Sequence, residues 1–108
     1  MKLTIRARHL DLSPEALDLI ETRVAGAFDR IGTWIRAIDV TLTDVNGPKG
    51  GLDKHCRLRI KTDSSRSIVV EHVGVDTLQT AVDAAVRAQR TLLRDVSRRR
   101  TLRPAFAI

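Results

Sequence analysis

Four arginines in the last third of the chain have the type and spacing to bind an anion. Arg87, Arg90, Arg94 and Arg98 are separated by three, four and four residues, so on a helix they form one row. A guanidinium group binds phosphate oxygens through paired hydrogen bonds. One sign of charge over about 16 Å of helix repels itself unless an anion relieves it. The row predicts a polyanion-binding face, and an ordinary solvated helix face is the alternative.

Two other groups of cations bear on which surface works. Arg23 and Arg30 are seven residues apart in a predicted helix, so they share one side and extend the row if the helices lie together. The open face of a predicted sheet also carries cations, and charge alone does not choose between the two faces. A sheet that binds single strands needs stacking aromatics, but the chain has two Phe, one Trp and no Tyr. This favours contact through the helices with a structured RNA backbone. The sheet-face cations are Arg6, Arg8, Arg57, Arg59 and Lys61.

Residues that support catalysis or metal binding are not grouped in the sequence. The three histidines lack metal-ligand spacing, and Cys56 is predicted to point inward from a strand. The glycine-rich segment 46–51 joins two strands instead of opening a helix, so it is not a phosphate-binding P-loop. We expect no enzyme activity, cofactor, metal or small-molecule substrate. The loop lysines, Lys49 and Lys54, are predicted as secondary contacts to a partner.

Charge is distributed unevenly along the 108 residues. Residues 1–53 carry seven basic and eight acidic side chains, whereas residues 54–108 carry twelve basic and five acidic ones. Such asymmetry points to nucleic acid as the partner. The apolar fraction of 43% indicates one globular domain, predicted over 1–103, with a short C-terminal tail at 104–108. The lone cysteine and the absence of a long apolar run predict a cytoplasmic protein without a membrane segment.

The hydrophobic pattern predicts the elements that position these cations. Leu3, Ile5 and Ala7 alternate with polar residues in a first strand. A helix over 14–31 follows, with Ser13 as its cap, Leu17 on its apolar face and Gly32 closing it. Three strands come next, near 38–43, 55–61 and 67–73, the facing of the last being ambiguous. A final helix is capped by Asp76 or Thr77 and is predicted to end near 100–102, before Pro104.

The order of the elements predicts the architecture. A strand–helix–strand start favours a right-handed crossover that pairs the first two strands in parallel, and the remaining strands form a meander. Both helices must bury an apolar stripe, so both are expected on one face of the sheet. The predicted fold class is α+β, a two-layer β-α-β-β-β-α arrangement with a four-stranded mixed sheet. On the last helix, Asp83 is the expected partner of Arg87.

The chain resembles the ribosome hibernation-promoting factors, also called ribosome-associated inhibitors or the sigma-54 modulation family, in their short form. The strongest feature is the segment Asp44-x-Asn-Gly-Pro-Lys-Gly-Gly-x-Asp-Lys-x-Cys56. Supporting features are Arg8 at the end of the first strand, Ser13-Pro14, Arg23, and Ala81-Val-Asp83. The sequence departs from the family at Leu78, where a Tyr is common, and at Arg87-Ala88, where Asp-Lys is common.

The resemblance implies a fold similar to double-stranded-RNA-binding domains and a role in ribosome hibernation during stress or stationary phase. It implies binding to small-subunit rRNA in the decoding region, which blocks tRNA and mRNA access, and no catalysis. Carried over by position, Arg23 and the basic residues of the last helix face the rRNA. The short form is expected to be monomeric when free and not to dimerise ribosomes unaided. Two alternatives remain open: a regulator that binds a protein such as a transcription factor, and a general double-stranded-RNA binder.

Overall fold

We describe the fold from a computed structural model, which defines residues 1–45, 53–63 and 66–107, with side chains as far as residue 96. In these ranges the chain forms, in order, β1 (Lys2–Arg8), α1 (Pro14–Ala27), a 3-10 helix (Asp29–Trp34), β2 (Ile35–Asp44), β3 (Lys54–Thr62), β4 (Ser67–Gly74) and α2 (Thr77–Ala107). The predicted order of strand, helix, three strands and helix is confirmed. The 3-10 helix is an addition that the sequence did not predict.

The four strands form one mixed sheet in the order β1-β2-β3-β4. β1 and β2 run parallel, with Ile5 beside Val40, because the chain crosses over through α1 before it returns to the sheet. β2, β3 and β4 are antiparallel neighbours, as direct connections between strands require. The predicted α+β fold class, with its parallel pair and meander, is confirmed.

The core lies between one face of the sheet and both helices. Alternate residues of β2 and β3 point into it, and Ile38, Leu58 and Ile60 are fully buried. α1 contributes Ile20 and Val24, while α2 presents a face of small residues to β3 and β4. Small side chains let the helix axis approach the sheet closely. The buried residues of α2 include Ala81, Ala84, Ala85, Ala88 and Leu92.

The structure shows which side chains of β4 point into the core, although the sequence left this open. Val70 is 7% exposed and pairs with the buried Leu58, so it points toward the helices. Val69 and Val73 are each 46% exposed and lie on the open face of the sheet. Strict alternation holds in β4, and its valines on the open side are what obscured the pattern.

α1 begins as predicted but ends earlier. The Ala16 N–H donates to Ser13 Oγ at 3.1 Å, and Pro14 occupies the first turn, so the predicted cap is confirmed. The helix ends at Ala27 because Phe28 leaves helical geometry, with φ −114° and ψ 6°. The prediction that Gly32 closes this helix is therefore wrong, since Gly32 lies in the 3-10 helix. Leu17 is 37% exposed, so its predicted place in the buried stripe is also wrong.

α2 begins immediately after Asp76. The Gln79 N–H donates to Asp76 Oδ2 at 2.8 Å, which makes Asp76, not Thr77, the capping residue. The helix runs to Ala107, past the end predicted before Pro104. A proline inside a helix removes one hydrogen bond and crowds the preceding turn, but this cost does not always end the helix.

Gly74 marks the tight passage from β4 into α2. A Cβ atom at this position would overlap the Oγ1 atom of Thr80, which is itself buried. The Thr80 hydroxyl cannot easily move away, because it donates a 2.6 Å hydrogen bond to the carbonyl oxygen of Asp76. Glycine is required here by the close approach of the first turn of α2 to the end of the strand.

Candidate nucleic-acid interface

Three of the four row arginines lie on the exposed surface of α2. Arg87, Arg90 and Arg94 are exposed, and none of them lies on the side of the helix that carries the buried alanines. Among the side chains that the structure describes, Arg90 and Arg94 form no ion pair or hydrogen bond within the protein, so their guanidinium groups face solvent. Arg98 lies within the helix, and its side chain is outside the described part. We call Arg87, Arg90, Arg94 and Arg98 the arginine row.

The Arg87 side chain forms a hydrogen bond with the sheet and not with a residue of its own helix. Its Nη1 donates to the carbonyl oxygen of Glu71 on β4 at 3.2 Å. The predicted pairing of Arg87 with Asp83 is wrong, because Asp83 Oδ2 lies 3.5 Å from His72 Nε2 and Oδ1 accepts from Gln79. The close packing of α2 on β4 brings strand groups within reach, and these compete with the helical neighbour. Arg87 therefore contributes to the docking of α2 as well as to surface charge.

The arginine row lies partly on the flank of α2 that borders β4. Arg66, just before β4, forms a 3.1 Å ion pair with Asp95 of α2. Arg94 and Arg66 line one cleft between the helix and the start of β4. α1 packs against β1 and against α2, so this flank is the one that points away from α1.

The two N-terminal cations of the predicted interface are exposed but do not belong to one helix. Arg23 lies on α1, whereas Arg30 lies in the 3-10 helix. The prediction that their seven-residue spacing places them on the same side of one helix is therefore wrong, because α1 ends before Arg30. Their contact with RNA stays a prediction.

The open face of the sheet is a second strongly basic surface. No helix packs on this side in the described structure, since both helices contribute to the single core on the other side. Cross-strand pairing places Arg6 beside Thr41, Thr41 beside Arg57, and Arg57 beside Glu71. The cations of this face are Lys2, Arg6, Arg8, Arg57, Arg59 and Lys61, and its carboxylates are Asp39 and Glu71.

Two basic residues near this face were not in the predicted interface. Arg36 has no partner in the β2–β3 register because a bulge separates Ile35 from Ala37. A bulge adds one residue and redirects a side chain, and residues 33–39 contain no glycine or proline to signal it. Arg66 follows the turn before β4 and reaches α2 only through tertiary packing. Both residues are recognisable in the sequence as basic, but their positions beside this face are not.

The glycine-rich loop is closed at its base by a cluster of charges. Lys54 Nζ lies 3.2 Å from Asp44 Oδ2 and 3.3 Å from Asp53 Oδ2. The hydrogen bond to Asp44 raises the pKa of the Lys54 ammonium, and Asp53 adds to this effect. The Val45 N–H also donates to the Asp53 carbonyl at 2.8 Å. An RNA contact by Lys54 would have to compete with these carboxylates, and Lys49 lies outside the described residues.

Cys56 points inward from β3, as predicted. Cys56 is fully buried, and burial raises the pKa of its thiol to about 12, so it stays protonated at neutral pH. Within the described ranges, no three His, Cys, Asp or Glu side chains converge as a metal site would require. The same ranges contain no helix that is both long and apolar enough to span a membrane.

Comparisons with known proteins agree with this architecture. A ribosomal subunit interface protein from Coxiella burnetii is 16% identical, with a TM-score of 0.71 over 90% of this chain and 99% of that one. The N-terminal domain of Thermus thermophilus Protein Y is 18% identical, with a TM-score of 0.69 over 87% of this chain and 98% of that one. These likenesses show a shared fold. No curated protein matches the sequence significantly.

The family comparison extends over almost the whole chain. Residues 3–101 match the family described as Sigma 54 modulation protein / S30EA ribosomal protein. The matched range includes all of α1, β2, β3 and β4, nearly all of β1 and most of α2, so the match covers the architecture and not one local motif. This chain therefore belongs to the Sigma 54 modulation protein / S30EA ribosomal protein family.

Proposed function

We propose that this protein is a ribosome-associated translation inhibitor that acts as a hibernation factor under stress or in stationary phase. It binds small-subunit rRNA in the decoding region and blocks tRNA and mRNA access. The observation that carries the proposal is the exposure of Arg87, Arg90 and Arg94 of the arginine row, with Arg90 and Arg94 free of partners among the described side chains. Membership of the family and the name of the Coxiella burnetii protein, a ribosomal subunit interface protein, support it.

The arginine row would act by neutralising phosphates along an RNA backbone. Each guanidinium can bind two phosphate oxygens, and a rigid helix fixes the spacing between the groups. Backbone contacts position a protein on a folded RNA without reading bases, which suits a helix whose described side chains, up to residue 96, include no stacking aromatics. Arg23 and Arg30 are proposed as further contacts, with Lys49 and Lys54 as secondary ones.

Inhibition would follow from occupancy alone. A domain that occupies the decoding region excludes tRNA and mRNA sterically, so no bond needs to be made or broken. Exclusion is reciprocal: bound tRNA must weaken the binding of the protein by the factor by which the protein weakens the binding of tRNA. We place this activity in the cytoplasm, with the free protein as a monomer.

Competition on purified small subunits tests the proposed site. The subunits are loaded with mRNA and tRNA before the labelled protein is added, and the bound fraction is measured by sedimentation. We expect the protein to bind vacant subunits and to be displaced from loaded ones. Simultaneous, undiminished binding of protein and tRNA would rule out the decoding region.

Salt dependence and nuclease digestion distinguish binding to rRNA from binding to a protein partner. RNA binding should weaken steeply with salt, because each neutralised phosphate releases counterions. An association that persists after nuclease digestion would instead indicate a protein partner. A general double-stranded-RNA binder would be displaced from the subunit by an excess of plain RNA duplex, whereas a ribosome-specific factor would not.

A further inference from the structure

A cationic cleft lies at one end of the open face of the sheet. Arg36, Arg59, Lys61 and Arg66 line it, together with Ser67. These residues come from β2, from β3, from the residue just before β4 and from the start of β4, so the sequence does not group them. We call these four cations and Ser67 the sheet-end cleft. It lies outside the arginine row and was not part of the predicted interface.

The register of the sheet explains why these cations converge. Arg59 and Lys61 are two residues apart on β3, so both point to the open face. The bulge in β2 leaves Arg36 without a partner residue on β3. Arg36 lies next to Ala37, which pairs with Lys61. Ser67 is the β4 partner of Lys61, and its Oγ accepts a 3.4 Å hydrogen bond from Arg59 Nη2.

Charges around the sheet-end cleft are only partly balanced by the protein. Asp39 is the β2 partner of Arg59, and Asp95 forms an ion pair with Arg66. Among the described residues, Arg36 and Lys61 have no ion-pair partner. Lys2 adds a further cation in the same cross-strand row, beside Ala37. A cluster of this sign attracts an anion.

A second cleft connects this site to the arginine row. It shares Arg66 and Ser67 with the sheet-end cleft and continues to Thr91 and Arg94 of α2. The cations therefore form a continuous path that leads from the open face, around the start of β4, to the helical face. Arg66 is the shared cation, and 64% of its side chain remains exposed although it pairs with Asp95.

We infer that the sheet-end cleft binds the phosphate backbone of RNA and forms a second contact, joined to the arginine row around the edge of β4. This inference rests on the proposed function, since it assumes an RNA partner. Arginine, lysine and serine side chains are the groups that contact phosphate oxygens. The cleft has no aromatic lining, so it would hold the backbone and not bases. An acidic protein would be expected to add an apolar interface core, whereas the lining of this cleft is charged or polar apart from Ala37.

Two variants with the same change in charge test the inference. The cleft variant is Arg36→Gln, Arg59→Gln and Lys61→Gln in the full chain. The control variant is Arg6→Gln, Arg8→Gln and Arg57→Gln, on the same face but outside the cleft. Arg66 is left intact because its ion pair with Asp95 helps to dock α2. Circular dichroism and thermal melting establish that both variants fold.

Affinity for purified small subunits is measured over a range of salt concentrations. The cleft variant should bind at least about tenfold more weakly at low salt, and its salt slope should fall by roughly one for each phosphate that it no longer neutralises. The affinity of the control variant should fall clearly less. Equal reductions in the two variants, or an unchanged affinity in the cleft variant, would overturn the inference.

The remaining outcomes separate this inference from the proposed function. If the wild-type chain binds subunits and the cleft variant binds equally well, only the sheet-end cleft is refuted. If the wild-type chain does not bind subunits at all, the proposed function fails and the inference fails with it. A third outcome concerns proteins of the subunit. If the cleft variant keeps its affinity for intact subunits but is released from nuclease-digested subunits that retain the wild-type chain, the cleft binds an acidic protein instead.

Discussion

The two basic surfaces of this protein are built in different ways. The arginine row comes from a single helix, where a spacing of three or four residues is enough to align the side chains. The sheet face comes from three strands, so its cations are brought together by register and by one bulge. Clusters on one element are visible in a sequence, whereas clusters across elements become visible only when the strands are paired.

The surfaces also differ in how the protein itself uses their charges. On α2, Arg87 bonds to the β4 backbone, while Arg90 faces solvent. On the sheet, Asp39 and Glu71 lie beside Arg59 and Arg57 and offset part of their charge. Each surface thus combines cations that stabilise the fold with cations available to a partner, and substitutions can separate the two groups.

The largest expected effect is on the arginine row. Arg90→Glu with Arg94→Glu should weaken binding to small subunits by at least about a hundredfold, because two phosphate contacts become repulsive. Sedimentation at several salt concentrations measures the change in affinity. Arg6→Glu with Arg8→Glu, which makes the same change in charge on the sheet, should have a much smaller effect. If the sheet variant were the weaker binder, the assignment of the primary surface would be reversed.

The next largest effect concerns the junction between β4 and α2. Gly74→Ala should lower the free energy of unfolding by about 2 kcal/mol, because the new methyl group meets the buried Thr80 hydroxyl. Denaturant titration measures the change. Gly26→Ala is the matched control, since a Cβ there meets no atom within 4 Å and alanine favours the helix. A Gly74→Ala protein as stable as the wild type would show that the junction tolerates a wider spacing.

A smaller effect should separate Arg87 from Arg90. Arg87→Ala should lower the free energy of unfolding by about 1 kcal/mol, since it removes the hydrogen bond to the Glu71 carbonyl. Arg90→Ala should leave stability unchanged, because its guanidinium faces solvent. Paired thermal melts compare the two variants. Identical stabilities would mean that the Arg87 hydrogen bond contributes nothing to the docking of α2.

The smallest predicted effect sharpens the role of the sheet-end cleft. Asp39→Asn removes the carboxylate beside Arg59, so RNA binding should tighten by roughly twofold. Fluorescence anisotropy of the labelled protein, titrated with purified small subunits, can resolve this change. Glu71→Gln makes the same change in charge beside Arg57, outside the cleft, and should have less effect. Weaker binding by Asp39→Asn would contradict the proposed role of the cleft.

Much of the fold could be predicted because its signals are local. Alternation of apolar residues indicates the strands, and Ser13-Pro14 indicates the start of α1. The ends of helices are less predictable: Phe28 resembles another residue of the helical stripe, yet the backbone tightens there into a 3-10 turn. Pro104 resembles a stop signal, and α2 continues past it.

The candidate site was predictable only where it lies on one helix. Arg90 and Arg94 are placed as their spacing predicts. Arg36 was missed because a bulge decides its position, and the predicted partner of Arg87 was wrong because a strand carbonyl competes with a helical neighbour. Both errors concern tertiary geometry, on which the periodicity of a sequence carries no information.

The alanine-rich face of α2 has a consequence for how the arginines are positioned. Burying Ala81, Ala84, Ala85 and Ala88 costs almost no side-chain entropy, but small side chains interlock little and would let the helix slide along its axis. The contacts along β4 oppose such sliding: Asp83 to His72, Arg87 to Glu71, and Asp95 to Arg66. These contacts fix the axial position of α2, and with it the positions of Arg87, Arg90 and Arg94 along the sheet.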